Sequence, residues 1–570
     1  MCRNFFIVFY TVFSNLYKSK ESEKLFNEIL DLTKKLVSIP SVNTTPGEHD
    51  IACFIEAYLR DMPYFKKHPD QVIIQKLKND FLDRRNVFAL IKGEKGNSKD
   101  TIILHGHMDT VGVEDFGKLK EFAFDCDELM ERLKNMNLDP EVKNDLNSGD
   151  WLFGRGSCDM KSGVAVFMVI LKHLGERVKD IDGNILLSVN PVEENLHTGI
   201  IEALEVFEDL KEKENLNYIF AINNDFICPL YPGDTKKYVY TGAVGKILPC
   251  FYIQGKETHV AQCFEGFDSS MVAAELVKLM NLNPEFCDGY KNEYTLPPSV
   301  LKMKDLKPQY NVQTSFTSFV YFNYFIHNAS IREILIKLKE TAQKALDNVL
   351  VDINVKYEEY CRITNTDYKK IEYSIQVLEY KEVYKLAKDV YEGDLDVYIR
   401  EITDKFINRN VDKREIPLEI TKKLCSIIGI KIPAIVIFFA APYCPHNTLK
   451  DEMEEEKKIQ NEISKIVKEF SEKSKEKLEV KQFFPSLTDS SYLKIDDDNE
   501  SINLLIDNFP QYESLYNVPL KTIKKLNIPA INFGSYGKDA HKWTERVYMP
   551  YTFKVLPDLI MKTLRNYFLD

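Results

Sequence analysis

No disulfide framework is written into this 570-residue sequence: its eleven cysteines are scattered, without a C-x-x-C pair or regular spacing. Such a pattern suits reduced thiols in a cytoplasmic protein. Long Lys/Arg runs are missing as well, and the formal net charge is -12. That balance argues against nucleic acid or an anionic membrane as a main partner. There is no internal repeat at solenoid periods and no low-complexity linker. No G-x-S-x-G elbow surrounds Ser490-Ser491, so nothing marks a serine nucleophile. The apolar run at residues 5–13 is too short to span a bilayer, and the residues after it lack a small-x-small cleavage site. Residues 1–20 therefore read as an apolar N-terminal extension.

What is present is an ordinary globular balance, 44% hydrophobic and 28% charged, in a chain longer than one core usually serves. Two domains are the default expectation. From residue 21 a helix is expected, with Leu25, Ile29, Leu32 and Leu36 on one face. Residues 21–240 alternate helix-period and strand-period segments, as in a sheet covered by helices. Residues 241–364 change rhythm: strand 247–254, helix 269–280, a strand-rich stretch 314–326, helix 331–350 and strand 352–361. That β-α-β-β-α-β order predicts a ferredoxin-like insert. Residues 365–570 are expected to return to the first domain through helices and the apolar strand 434–439. The charged run 451–458 reads as the solvated start of a helix burying Ile459, Ile463, Ile466, Val467 and Phe470. The predicted fold class is α/β: a helix-covered mixed sheet interrupted by an α+β lid.

The chemistry is concentrated where apolar strands stop. Thr101-Ile-Ile-Leu-His-Gly-His-Met-Asp109 ends in His107 and Asp109, two apart and so able to share a face. Asp109 is placed to fix the tautomer of His107, as carboxylates do behind metal-bound imidazoles. Another apolar run stops at Glu193-Glu194, another at Asp225, and 528–533 continues to His541. A glycine-flanked turn, Gly154-Arg-Gly-Ser-Cys-Asp159-Met-Lys-Ser-Gly163, adds one acid. Sites in open α/β sheets form beyond the carboxyl ends of strands, where these positions would fall. Mixed imidazole and carboxylate donors, without a cysteine cluster, suit a hydrolytic zinc site. Asp159 is the candidate bridge between two ions, and Cys158, Cys228 and Cys444 read as small buried fillers.

Taken together, the H-x-D segment, the G-x-G-x-x-D-M-K-x-G segment, the paired acids, Asp225, the Gly255-Lys-Glu-Thr-His259 segment and the His541-x-x-x-Glu545 segment resemble the M20 group of co-catalytic zinc amidohydrolases and peptidases. Within it, the stretches 231–245 and 438–446 are similar to the RocB branch, associated with arginine utilisation. The resemblance implies two Zn²⁺ ions, with Co²⁺ or Mn²⁺ as substitutes. It puts His107 and Asp225 on one ion and Glu194 and His541 on the other. It also implies Glu193 as general base and a lid histidine, His259, at the developing oxyanion, with Asp109, behind His107, counted in the catalytic set. In dimeric relatives that histidine comes from the partner subunit, so a monomer or homodimer is expected. The implied substrate is a small peptide or N-acyl amino acid with an arginine-related group. One departure is plain: the lid arginine that many members use for a substrate carboxylate has no counterpart in 311–325, and neither Arg332 nor Arg362 takes its place. The alternative reading is an inactive M20-fold binding or regulatory protein of amino-acid catabolism. Glu193 argues against it, because a pure binder needs no unliganded base.

Overall fold

The computed structural model describes residues 22–474 and 476–569, so the expected extension at 1–20 lies outside the described residues. The chain divides into two compact units. The first takes the chain up to Ala243, Asn447–Lys494 and the residues from Lys521 onward; the second takes Val244–His446 and Ile495–Leu520.

The first unit is built on an eight-stranded mixed sheet. Its middle four strands lie in the order Asn184–Asn190, Asp100–His107, Asn217–Asn223 and Ala530–Phe533, all parallel. Near-continuous burial along them is what a parallel sheet covered on both faces requires. Helix Lys161–Gly175 carries Val164, Val166, Phe167, Val169, Ile170 and Leu171 fully out of water. Each such side chain contributes about 1.5–3 kcal/mol by burial. Residues 22–37 form a helix that buries Ile29, Leu32 and Leu36, with Leu25 packed at its edge. Helix Glu454–Lys473 starts on three glutamates, which complement its N-terminal dipole, and buries Ile459, Ile463, Ile466 and Val467 with Phe470 alongside. The chain leaves this unit after Ala243 and returns at Asn447, and those two points pair directly, Asn447 with Ala243 and Thr448 with Gly242.

The second unit corrects two expectations. Residues 352–361 are not a strand: they continue a single helix, Ile331–Thr364. The alternation of Ile353, Val355 and Tyr357 imitates a strand, but the buried positions Leu346, Val349 and Ile353 step by three and four, and no glycine or proline interrupts the run. A capping box of Ser330 and Glu333 opens the helix and Asn365, with φ 54°, closes it. Nor does the unit end at residue 364. Its five-stranded sheet runs Ser299–Asp305, Thr317–Ile326, Gly245–Gln254, Ala434–Cys444, Gln376–Glu379. The order is that of a ferredoxin-like sheet opened by one extra strand, Ala434–Cys444, which lies antiparallel to Gly245–Gln254 and parallel to Gln376–Glu379. The apolar strand expected at 434–439 thus belongs to this unit, because its hydrogen bonds are made here. Helices Tyr380–Val390, Leu395–Ile407 and Glu415–Ile428 pack their apolar residues with this sheet. Among the described residues, no helix is long and apolar enough to cross a membrane.

Candidate metal centre

Parallel strands finish at the same edge, so the four central strands of the first unit deliver their following residues to one place. His107 ends one strand, Asp109 follows it, Glu193 and Glu194 follow the second, and Asp225 follows the third. His541 arrives on the hairpin of Gly537–Lys538 and Arg546–Tyr548. That hairpin pairs with Trp151–Phe153, the strand leading into the Asp159 turn. The approach is close enough to demand glycine: a Cβ on Gly537 would lie 2.4 Å from Cys158 Sγ. Gly156, at φ 77°, has the left-handed backbone that lets the turn fold back on itself.

The resulting geometry is two clusters sharing one acid. His107, Asp159 and Asp225 form one, and Asp159, Glu194 and His541 the other, with the potential ligand atoms of each within 4.8 Å of one another. Asp159 Oδ1 is 3.0 Å from His107 Nε2, and its Oδ2 is 3.1 Å from His541 Nε2. His541 Nε2 also lies 3.0 Å from Glu194 Oε1. His107, Asp159 and Asp225 are buried, whereas His541 is half-exposed. Glu193 stands beside these clusters and belongs to neither.

Electrostatics mark the place as one built for cations. Burial, with Glu194, Asp225 and Asp489 alongside, pushes Glu193 well above the usual carboxylate range despite the opposing His107. Burial and the charge of Asp159 push Asp225 up to about 7, and the same two causes raise Glu194. Asp159 goes the other way: burial alone would raise it, but hydrogen bonds from both imidazoles hold it well below the usual range. His541, bonded to Asp159 and Glu194, is raised to about 11. Crowded buried acids of this kind are stabilised by positive charge. The donor set, imidazole nitrogens and carboxylate oxygens around a shared acid, fits a pair of divalent ions.

A further tier of buried acids holds the ligand loops. Asp109 behaves differently from the expected tautomer-fixing partner. His107 Nδ1 is 3.1 Å from the backbone oxygen of Asp109 and 3.6 Å from its carboxylate. The carboxylate instead accepts the backbone N–H groups of Glu193 and Glu194, each at 3.1 Å, and the Asn43 amide at 2.9 Å. It therefore ties the paired-acid turn to the histidine strand. Glu545 accepts the backbone N–H groups of Cys158 and Asp159 at 3.1 and 3.2 Å, and a 2.7 Å bond from Arg155. Cys158 is buried, and that burial pushes its thiol well up, as expected of a filler. Lys161 donates to the carbonyl of Ile39 at 2.7 Å and so secures the neighbouring loop.

The expected residues of the first unit are gathered here, together with some that were not expected. His259 lies exposed in the second unit, where its Nδ1 accepts the Ala261 N–H at 3.1 Å. His197 and Asp489 form a third cluster with Glu193, and the Thr488 side chain bonds Asp225. No local motif announces them. Asp489 is 292 residues from His197 and sits in a five-residue turn, Asp489–Leu493.

Comparison with known proteins bears on this arrangement. The profile described as Peptidase family M20/M25/M40 matches residues 103–497. Protein RocB of Bacillus subtilis is 40% identical over 532 residues, covering 93% of this chain and 93% of its own. An uncharacterised protein of the same organism, YqjN, is 34% identical over 543 residues, 94% and 96% of the two chains. A succinyl-diaminopimelate desuccinylase of Helicobacter pylori is 27% identical over 334 residues, 57% of this chain and 74% of that one.

Proposed function

This chain belongs to peptidase family M20/M25/M40 and is a metal-dependent hydrolase, and from that premise we propose that it cleaves a peptide or N-acyl amide bond with two bridged divalent cations, zinc first among them. The observation that carries the proposal is Asp159, whose two carboxylate oxygens each meet a different imidazole, with Asp225 beside one and Glu194 beside the other. His107 and Asp225 would hold one ion, Glu194 and His541 the second, and Asp159 both. Bound there, the ions supply Lewis acidity that acidifies water and polarises an amide carbonyl.

The chain's own residues do the rest. Glu193 lies outside both ligand sets, so its carboxylate is free to take a proton from the attacking water and return it to the leaving nitrogen. Asp109 fixes that carboxylate's backbone through the N–H groups of Glu193 and Glu194. The family resemblance assigns the developing oxyanion to His259. Similarity to a desuccinylase supports an N-acyl amide as substrate, and the sequence resemblance to the arginine-utilisation branch puts arginine-related compounds first. Strand Thr317–Ile326 carries no arginine, so a substrate carboxylate would need another partner.

The test loads metal-free protein with zinc or cobalt, counts bound ions, and screens dipeptides and N-acyl amino acids, arginine derivatives included. Two ions per chain and turnover of one such amide are expected. Two bound ions without turnover of any would favour the binding or regulatory reading instead.

A further inference from the structure

We propose that His197 and Asp489 are a positioning pair for Glu193, an inference that rests on Glu193 being the general base. The turn that carries Glu193 and Glu194 is strained at both ends. Val192 has φ 71° and His197 φ 55°, left-handed values that a β-branched residue adopts only under constraint. The turn is closed by the His197 N–H donating to the Val192 carbonyl at 2.9 Å. Glycine or asparagine would serve the backbone at 197 better. Although His197 stands at the N-cap of helix Thr198–Lys213, its side chain makes no capping bond.

The ring is engaged elsewhere. His197 Nδ1 lies 2.8 Å from Asp489 Oδ1 and 3.9 Å from Glu193 Oε1, with the Tyr492 ring 5.1 Å away. His197 and Asp489 are both buried. The other oxygen of Asp489 has no hydrogen-bond partner among the described residues and faces His105 Nε2 at 3.9 Å. Asp489 thus holds the imidazole at one wall of the base, while Asp109 holds the backbone on the other. Thr488, next in the chain, bonds the ligand Asp225, so one short segment steadies both the base and a metal ligand. The family motifs read from the sequence do not include His197.

The pair touches neither of the two ligand clusters through its own donor atoms, so its effect should pass through Glu193 alone. In His197→Asn, asparagine tolerates the left-handed backbone while the ring is lost; Asp489→Asn is the second variant. Each should lower kcat roughly ten- to a hundredfold, the cost of a misplaced reacting group. KM and the two bound zinc ions should hold. Placed in a Glu193→Gln background, either change should lower kcat no further, because groups acting as one unit are not additive.

Three results would overturn the proposal. Wild-type kcat in both variants, with Glu193→Gln inactive, would remove the positioning role and leave the base in place. A full additional loss in the Glu193→Gln background would make the pair a structural element. A third zinc bound by the wild type and lost in His197→Asn would make the cluster a cation site. Full activity of Glu193→Gln itself would instead strike at the base assignment. If Asp489→Asn does not fold, His197→Asn carries the test.

Discussion

Acids withdrawn from water occur in both units, and those crowded at the metal centre are treated unlike those of the second unit. In the second unit Glu379 lies between Lys339 and Lys381, at 2.8 and 2.9 Å, and accepts the Asn508 amide at 3.2 Å. Glu415 accepts from Lys302 and Lys304. Burial works to raise both, but the lysines hold both below the usual carboxylate range. Asp288 meets three backbone N–H groups, those of His327, Asn328 and Ala329, at 2.7 to 2.8 Å. In the first unit Glu193, Glu194 and Asp225 are pushed upward by burial and by acidic neighbours. These acids therefore separate into two kinds, by their partners as well as by their depth. Acids supplied with protein cations hold a fold together, and acids crowded together need a cation from outside.

The sharpest way to break this division is to neutralise one acid of each kind without changing its shape. In zinc-replete protein, Glu193→Gln should cut kcat by roughly two to four orders of magnitude, with metal content kept. Glu194→Gln should lose metal first. Steady-state kinetics beside zinc analysis separates the two outcomes. A fully active Glu193→Gln enzyme would put Glu193 among the structural acids.

A smaller effect, but one with a change of sign, is expected for Asp225→Asn. Without metal, the substitution removes a crowded charge next to Asp159, so the variant should melt above wild type. With saturating zinc the order should reverse. Wild type then gains stability by mass action, about 3–4 kcal/mol at 100 to 1,000 times Kd, and the variant forfeits much of it. Thermal melts of chelated and zinc-loaded samples read both signs. A variant that melts below wild type in both states would mean that Asp225 is held by protein contacts, as Glu379 is.

The same division explains what could be read in advance. His107, Asp159, Glu194, Asp225 and His541 each follow a recognisable strand or turn, so local pattern pointed to all five as candidates. The strand-like runs that lead to these residues and the amphipathic helix Glu454–Lys473 were legible for the same reason. The outer tier was not. Asp489 reaches His197 only because the chain returns at Asn447 after building another unit. The far boundary of that unit hangs on a four-residue strand, Gln376–Glu379, whose partner lies more than fifty residues further on. The helix through 352–361 was hidden by β-branched residues that alternate along part of it. Long-range pairing overrode local pattern in the first two cases, and in the third a helical spacing of buried residues outweighed a short alternation.

The smallest expected effect tests the structural side of the comparison. Glu379 is held below its ordinary value of 4.5 by hydrogen bonds from Lys339 and Lys381 that outweigh burial. A depressed carboxylate contributes stability above its unfolded value, and loses it as pH falls through the folded one. Glu379→Gln should therefore cost stability near neutrality and progressively less as pH drops below about 4.5, where the wild-type carboxylate also protonates. Both lysines are partly exposed and screened by solvent, so the neutral-pH deficit should be only about 1 kcal/mol. Because two units need not unfold together, hydrogen exchange along helix Tyr380–Val390, which Glu379 caps, is a better measure than one melting temperature. Exchange there should quicken in the variant at pH 7 and approach wild type in acid. Zinc content and turnover should not move. A deficit that persists unchanged below pH 4 would show that Glu379 acts through packing rather than charge, and the contrast with Glu193 would then rest on shape alone.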